Sequence, residues 1–206
     1  MEQGRIPVRT LAKRFYQNPT PAVARGLLGA LLCRRTPDGL RVGRIVETEA
    51  YLGADDAASH AARGVTPRNR PMFEPPGHAY VYFTYGMHWC FNVVAWDAPP
   101  GAVLIRAVEP LEGVALMTAA RGVATLAGLT NGPAKLCRAF SIDAGQNGAS
   151  LIDGKGGLFI ARPDTSGPSR PIATTPRIGI RKATELALRF CYADSAFLSR
   201  PAGRAC

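Results

Sequence analysis

The sequence predicts an α+β fold: a single domain with a curved, mostly antiparallel β-sheet, a protruding β-hairpin and surrounding short helices. Segments typical of strands outnumber those typical of helices, and they do not alternate with helices as a parallel sheet requires. Gly and Pro, with 22 and 17 copies, interrupt the chain often and favour short elements. A length of 206 residues suits one core, so we expect one domain over residues 1–206, loosely ordered at 1–10 and 195–206.

The first predicted elements are a helix and a long strand. Thr20 followed by Pro21 is typical of a helix start, and apolar residues on one face predict that the helix continues to about Leu32. A Pro-Asp-Gly turn at residues 37–39 then precedes a strand over residues 40–51.

A long loop and a hairpin follow. Residues 53–77 contain few apolar side chains, and a loop of that length in a compact domain is usually functional or disordered. Residues 79–85 are rich in aromatic and β-branched side chains, so they predict a strand that returns through residues 88–95. The tip of this hairpin comprises Tyr85, Gly86 and Met87.

The remaining predicted elements alternate less regularly. Strands are expected over residues 102–108, 151–161 and 177–180. Helices are expected over residues 111–120 and from Pro133 to about Phe140.

The net charge of +10 points to a polyanionic partner, either nucleic acid or an anionic membrane. Residues 1–45 and 114–206 each carry +7, whereas residues 46–113 carry −4. Basic flanks around an acidic centre suit a protein that holds phosphates around a carboxylate site. The ordinary alternative is an arginine-rich coding bias, since 21 of the 25 basic residues are Arg.

Five widely spaced cysteines form no CxxC pair and no cluster with histidine. This pattern predicts reduced thiols in a cytoplasmic protein, and it indicates neither a disulfide framework nor a zinc site. No stretch approaches the roughly 18 consecutive apolar residues that a membrane-spanning helix needs. The N-terminus also lacks the pattern of a cleaved secretory signal.

Two carboxylates and a tyrosine share one side of the strand over residues 40–51. With regular alternation, Ile45, Glu47, Glu49 and Tyr51 face one way. Acids on an interior strand are costly to bury unless they are paired or used, so one of them is a candidate general base or metal ligand. A solvated strand face explains the same pattern, and from these residues alone both readings remain open.

The hairpin and the loop before it supply aromatic side chains. Tyr80, Tyr82, Tyr85 and Met87 in a basic protein suit base stacking and insertion into a duplex, although ordinary sheet packing also accounts for them. His60 is a lone histidine in a polar loop, which by itself is weak evidence of a ligand.

Taken together, these segments resemble the alkyladenine (3-methyladenine) DNA glycosylase family over about residues 10–180. The motifs that carry the resemblance are Ile45-Val-Glu-Thr-Glu-Ala-Tyr-Leu-Gly53, His60, Thr66-Pro-Arg-Asn-Arg70, Met72-Phe73, Tyr80-Val-Tyr82, Tyr85-Gly-Met87, Asn92, Arg106-Ala-Val-Glu-Pro-Leu-Glu-Gly113 and Asn131-Gly-Pro-Ala-Lys-Leu-Cys137. From Arg181 onward the resemblance weakens, so no site residue is taken from that region.

The resemblance implies a monofunctional enzyme that flips alkylated or deaminated purines out of double-stranded DNA and hydrolyses the N-glycosidic bond. These lesions include 3-methyladenine, 7-methylguanine, hypoxanthine and ethenoadenine. The resemblance further implies a cytoplasmic monomer, nucleoid-associated if the protein is bacterial, without a cofactor or metal. The implied residues are Glu49 as general base with Arg106 beside it; Tyr51, His60, Tyr82 and Asn92 around the base; Tyr85 and Met87 in the DNA; and Lys135 on the backbone.

Three alternatives remain open. A bifunctional glycosylase with lyase activity needs an amine nucleophile, and the chain has only four lysines. A non-catalytic module that bends DNA or senses damage would use the same basic surround and wedge. Metal-assisted hydrolysis would need a ligand cluster, which the sequence does not suggest.

Overall fold

A computed structural model describes residues 8–96, 100–163 and 169–202 of the chain. Of the tails expected to be loosely ordered, residues 1–7 and 203–206 lie outside these residues. The α-helices are α1 (Lys13–Tyr16), α2 (Thr20–Gly26), α3 (Val114–Arg121) and α4 (Pro133–Ala139), and 3-10 helices span His60–Arg63, Arg70–Phe73, Leu126–Leu129 and Ala144–Gln146. The strands are β1 (Val8–Thr10), β2 (Leu31–Thr36), β3 (Gly39–Tyr51), β4 (Ala79–Thr84), β5 (His88–Val94), β6 (Ala102–Glu112), β7 (Leu158–Pro163), β8 (Ile172–Thr175) and β9 (Arg189–Tyr192).

The strands form one antiparallel sheet, which confirms the predicted α+β class. Its main path runs in the order β1-β7-β2-β3-β6-β5-β4, and β8 joins through β9. Strand β3 is the centre of this sheet because it pairs with β6 along one edge and with β2 and then β9 along the other. Helices α2 and α4 contribute Val23, Ala24, Leu136 and Cys137 to the largest apolar cluster.

Helix α2 is shorter than the sequence predicts. It ends at Gly26, and Gly29 then adopts a left-handed backbone with φ of 83°. Leu31 and Leu32, expected at the end of the helix, instead pair with β3 and β7. Strand pairing and burial of both leucines therefore override their local helical periodicity.

Several later boundaries also differ from the prediction. Strand β6 continues through Glu112, so helix α3 begins only after Gly113, whose φ of 73° favours glycine. Strand β7 begins at Leu158, because the residues before it form turns. The segment 177–180 is not a strand but an irregular segment, and β8 and β9 lie on either side of it.

Two compensating bulges set the orientation of β3. In the pairing of β3 with β6, Ile45 lies opposite Val108, and the next pair joins Glu47 to Ala107, which leaves Val46 as an extra residue. The same pairing then skips a residue on β6 before Thr48. The prediction that Ile45 shares a face with the two glutamates is therefore wrong, because the bulge turns Ile45 into the main apolar cluster.

The predicted hairpin is confirmed. Strands β4 and β5 pair in register from Ala79 opposite Val93 to Thr84 opposite His88. At the tip, Tyr85 and Gly86 have φ of 51° and 67°, so a non-glycine residue occupies the left-handed region there. The side chains of Tyr85 and Met87 are 82% and 67% exposed, and the apolar tip projects into solvent.

Candidate functional site

A cavity of about 310 Å³ opens between the loop after β3, the hairpin and β6. Its volume lies at the lower end of the range for small-ligand sites, and five of its seventeen lining residues are aromatic. Six of the nine residues proposed from the sequence line it, namely Tyr51, His60, Tyr82, Tyr85, Asn92 and Arg106. The long loop therefore folds back over the sheet, and strands that are distant in sequence meet at one pocket.

Glu49 lies fully buried directly behind this cavity. Its Oε2 accepts hydrogen bonds from the Tyr51 hydroxyl at 2.9 Å and from Arg106 Nη1 at 3.2 Å. Its Oε1 accepts one from the Ile178 N–H at 2.7 Å. All three partners line the cavity, so the carboxylate is connected to the cavity through its hydrogen-bond donors.

The charge of Glu49 belongs to a buried network that continues through Glu47. Arg106 Nε donates to Glu47 Oε1 at 3.0 Å, and Arg189 Nε donates to the same oxygen at 2.8 Å. Ser199 donates to Glu47 from both its hydroxyl and its N–H, at 2.7 and 2.6 Å. Two carboxylates thus face two guanidinium groups, which offsets the cost of removing four charges from water.

Arg106 stays charged within this network. Burial by itself lowers the pKa of its guanidinium, but the charges of Glu49 and Glu47 outweigh that effect and raise the pKa above its ordinary value. Burial and then the adjacent Glu49 raise the pKa of Tyr51, so its hydroxyl remains a proton donor to the carboxylate.

His60 and two tyrosines form an aromatic wall of the cavity. His60 and Tyr82 meet edge to face with ring centroids 4.7 Å apart, and His60 Nδ1 lies 2.8 Å from the Tyr80 hydroxyl. Burial, followed by the charges of Arg68 and Arg63, lowers the pKa of His60 below its ordinary value. The imidazole is therefore neutral near pH 7 and can stack on a base without adding a charge.

Two buried asparagines fix the backbone around this wall. Asn92 Nδ2 donates to the Tyr80 carbonyl at 3.0 Å, which anchors its side chain at the cavity. Asn69 Nδ2 donates to the carbonyls of His60 and Gly64, each at 2.8 Å. Asn69, within the Thr66–Arg70 motif, therefore holds the His60 segment in place.

A second buried ion pair supports the other side of the cavity. Both Arg177 and Asp56 have fully buried side chains, and Arg177 Nη2 donates to Asp56 Oδ1 at 2.8 Å. Burial alone would raise the pKa of Asp56, but hydrogen bonds from Arg177 and from backbone N–H groups hold it below its ordinary value. The guanidinium of Arg177 also lies 4.7 Å from the centroid of the Tyr51 ring.

The last two proposed residues, Met87 and Lys135, lie at a different cleft. This cleft has a volume of about 710 Å³ and also contains Arg121 and Arg138. Lys135 is held by a hydrogen bond of 2.8 Å from its Nζ to Asn131 Oδ1. The hairpin therefore separates the cavity from a cleft that carries three basic side chains.

The residues that the last part of the chain contributes to the site are not among those predicted from the sequence. Ile178 was assigned to a strand, while Arg177, Arg189 and Ser199 were not identified as site residues. Each contacts a carboxylate more than 120 positions away, and no local pattern signals such a contact. In the sequence, the signal for these contacts is the pair Glu47 and Glu49 on an interior strand, because two buried acids need cationic partners.

Two kinds of site, a metal-binding cluster and a membrane-spanning helix, were looked for among residues 8–96, 100–163 and 169–202. In this part of the chain, no group of three or more His, Cys, Asp or Glu side chains lies close enough to hold a metal ion. Among the same residues, no helix combines the length and the hydropathy needed to cross a membrane.

Comparisons with known proteins show the family to which the chain belongs. Residues 14–196 match the family described as Methylpurine-DNA glycosylase (MPG). A protein of Burkholderia lata named "Putative 3-methyladenine DNA glycosylase" is 46% identical over 97% of this chain and 96% of its own length. Proteins with the same name from Chlorobium phaeobacteroides and Methanoculleus marisnigri are 46% and 47% identical, covering 95% and 93% of this chain and 98% and 99% of their own lengths.

Both the extent of the family match and the identity over nearly the whole chain go well beyond a shared fold. The sequence resemblance to the 3-methyladenine glycosylases is thereby confirmed. The chain belongs to the methylpurine-DNA glycosylase family, and it is a DNA glycosylase, a hydrolase that acts on DNA in the repair of alkylated bases.

Proposed function

We propose that this glycosylase flips alkylated or deaminated purines out of double-stranded DNA and hydrolyses the N-glycosidic bond with a water molecule activated by Glu49. The observation that carries the proposal is the placement of that carboxylate. It is buried behind the cavity, and its three hydrogen-bond donors all line that cavity. The substrates proposed are 3-methyladenine, 7-methylguanine, hypoxanthine and ethenoadenine.

In the proposed reaction, Glu49 takes a proton from the water as its oxygen attacks C1′ of the sugar. The bond between C1′ and the base nitrogen breaks, and the base leaves with the electron pair. A base alkylated at position 3 or 7 carries a positive charge and leaves as a neutral molecule, whereas hypoxanthine must gain a proton or a hydrogen bond. The negative charge of Glu49 also stabilises the oxocarbenium-like sugar, and Arg106 holds the carboxylate in position.

The cavity is proposed to select the flipped base by shape and stacking. Tyr51, His60 and Tyr82 would contact its faces, with the neutral imidazole of His60 against one of them. Asn92, anchored to the Tyr80 carbonyl, would crowd the amino group at position 2 of guanine. A normal guanine would then fit poorly, whereas 7-methylguanine keeps that group but carries a positive charge that makes it a better leaving group.

The hairpin tip is proposed to fill the space that the nucleotide leaves. Tyr85 lines the cavity and is also the most exposed large apolar side chain among the described residues, so it can enter the stack beside the extruded base. Met87 would follow it, and Lys135 would contact a backbone phosphate in the neighbouring cleft. The protein is proposed to act as a monomer without a cofactor.

Base release by the wild-type protein tests this proposal directly. Defined duplexes containing hypoxanthine, ethenoadenine or 3-methyladenine are incubated with the enzyme, and the free base is measured. We expect release from these duplexes and none from an undamaged control. Binding to the damaged duplexes without any release would instead show a damage-sensing module.

Borohydride treatment separates the monofunctional from the bifunctional enzyme. A lyase forms a Schiff base between an amine and the sugar, which borohydride traps as a covalent adduct with DNA. Among the residues that the structure describes, no lysine lines the cavity, so we expect no adduct. An adduct that disappears in Lys135→Gln would contradict the monofunctional mechanism.

A further inference from the structure

Four arginines contact a buried carboxylate or an aromatic ring at the cavity, and three of them are paired with carboxylates. Arg106 and Arg189 pair with Glu47, Arg106 also pairs with Glu49, and Arg177 pairs with Asp56. Arg68 is the exception: within the described part of the chain, no carboxylate lies within 4.0 Å of its guanidinium. Arg68 therefore places a positive charge without a carboxylate partner beside the Tyr82 ring.

Arg68 is fixed against one wall of the cavity although its side chain is exposed. Its guanidinium carbon lies 5.1 Å from the centroid of the Tyr82 ring, and its Nη2 donates to the Phe83 carbonyl at 2.9 Å. Tyr82 lines the cavity, whereas Arg68 does not. The charge thus acts on a bound base through and around the ring.

A cation over an aromatic ring has two effects on whatever stacks against that ring. The first cation is attracted to the negative face of the ring, so the ring attracts a second cation on its other face less strongly. The two cations also repel each other directly. The lowered pKa of His60, to which the charge of Arg68 contributes after burial, shows the same field acting on a neighbouring group. A neutral base experiences neither penalty.

We propose that Arg68 is a specificity-determining residue that disfavours positively charged lesion bases relative to neutral ones. This inference rests on the proposed function, because it requires that a flipped base stacks against Tyr82. A cationic base such as 7-methylguanine carries one more positive charge than hypoxanthine when each is bound in the cavity. The field of Arg68 therefore shifts the ratio of the two substrates when hypoxanthine leaves with the help of a hydrogen bond and not of a full proton.

The test compares two duplexes that differ only in the lesion, one containing 7-methylguanine and one containing hypoxanthine. Single-turnover release is measured over a range of enzyme concentrations, and the second-order constant is taken for each lesion. In Arg68→Gln we expect the ratio of the constant for 7-methylguanine to that for hypoxanthine to rise about three- to tenfold, as for loss of one partly screened charge. A ratio is used because a general loss of DNA affinity cancels from it.

Three variants serve as controls. Arg63→Gln removes an exposed arginine that also lowers the pKa of His60, and it should leave the ratio within about twofold of wild type because the screened charge does not lie over Tyr82. Arg68→Lys keeps the charge and should retain the wild-type ratio. Arg68→Met removes the charge by a different substitution, so it replaces the glutamine variant if that protein does not fold.

Each outcome decides a different point. A fall of both constants by the same factor in Arg68→Gln would show that Arg68 binds a phosphate or only positions the hairpin, and it would overturn the proposal. An unchanged ratio would overturn it as well. If wild-type enzyme releases neither base, the proposed function fails and this inference fails with it, which separates that result from a failure of Arg68 alone.

Discussion

Single side chains in this site take their charge state from their immediate partners. Tyr51 stays protonated because it is buried beside Glu49, and Arg106 stays charged because two carboxylates outweigh its burial. The acid that would activate water therefore has a permanent hydrogen-bond donor and a permanent cation beside it. The proposed reaction then needs no change of protonation in either partner before the water attacks C1′.

His60 predicts a pH dependence of stability. Burial and then two arginines lower its pKa below the ordinary 6.5 in the folded protein. As pH falls through 6.5, the unfolded chain binds a proton that the folded protein does not, so the free energy of unfolding decreases. Between about pH 7.5 and about pH 5.5, the melting temperature of wild type should fall roughly 2 °C more than that of His60→Gln. Equal falls would contradict the neutral imidazole.

The buried pair of Arg177 and Asp56 predicts a loss of stability. Arg177→Met leaves the Asp56 carboxylate buried without its cation, which should cost about 3–5 kcal/mol in urea unfolding. The double variant with Asp56→Asn should recover part of that loss because neither charge remains. Arg44→Met, which breaks the exposed pair with Glu109, is the matched control and should cost at most about 1 kcal/mol. Equal costs in the two single variants would show that the buried pair has no special role.

Individual elements explain which parts of the fold the sequence could predict. The hairpin was predictable because its strand pattern, its turn and its partner are contiguous along the chain. The bulge at Val46 was not, because only the pairing of β3 with β6 shows where an extra residue lies. That bulge keeps Glu47 and Glu49 on the cavity side while Ile45 enters the core.

The missing half of the site has a similar explanation. Strand β9 and the segment before it bring Arg189 and Ile178 to carboxylates on β3. These contacts depend on the closure of the whole sheet, so neither a motif nor local periodicity reveals them. The family resemblance identifies the site residues that lie in contiguous motifs. The residues that hold them in place are seen only in the tertiary structure.

The hairpin tip is expected to affect retention of the flipped base more strongly than the rate of base release. Tyr85→Ala removes an exposed side chain, so the fold should be unaffected. The flipped nucleotide should be held more weakly because nothing fills the stack, while the carboxylate is unchanged. Release under subsaturating conditions should fall about tenfold or more, and the saturating single-turnover rate should fall much less. A saturating rate as low as that of Glu49→Gln would contradict the wedge role.

At the scale of the whole molecule, the basic residues behind the net charge of +10 are of two kinds, those that pair with buried carboxylates and those that are exposed to solvent. The central segment of −4 contains the acids and the hairpin, and the two +7 flanks supply most of the basic residues. Part of that positive charge is internal, since Arg177 and Arg189 are buried and pair with carboxylates. The positive charge that can contact DNA phosphates is consequently that of exposed side chains such as Lys135.

Lys135 predicts a change in the salt dependence of DNA binding. Each phosphate neutralised by the protein adds roughly one to the slope of log affinity against log salt concentration. Lys135→Gln should reduce that slope by about one for damaged and undamaged duplexes alike. Lys155→Gln removes the same charge from an exposed position that lines neither the cavity nor the basic cleft, and it should change the slope less. Equal slopes in the wild-type protein and in Lys135→Gln would remove Lys135 from the interface.

The central claim is that Glu49 activates the water, and Glu49→Gln tests it most directly. Affinity for a hypoxanthine duplex and single-turnover base release are measured for this variant, for wild type and for Glu109→Gln, whose carboxylate pairs with Arg44 outside the cavity. We expect Glu49→Gln to fold and to bind the duplex, while release falls about 10²- to 10⁴-fold, and we expect Glu109→Gln to match wild type. Release by a folded, DNA-binding Glu49→Gln protein at a rate close to that of wild type would contradict the account.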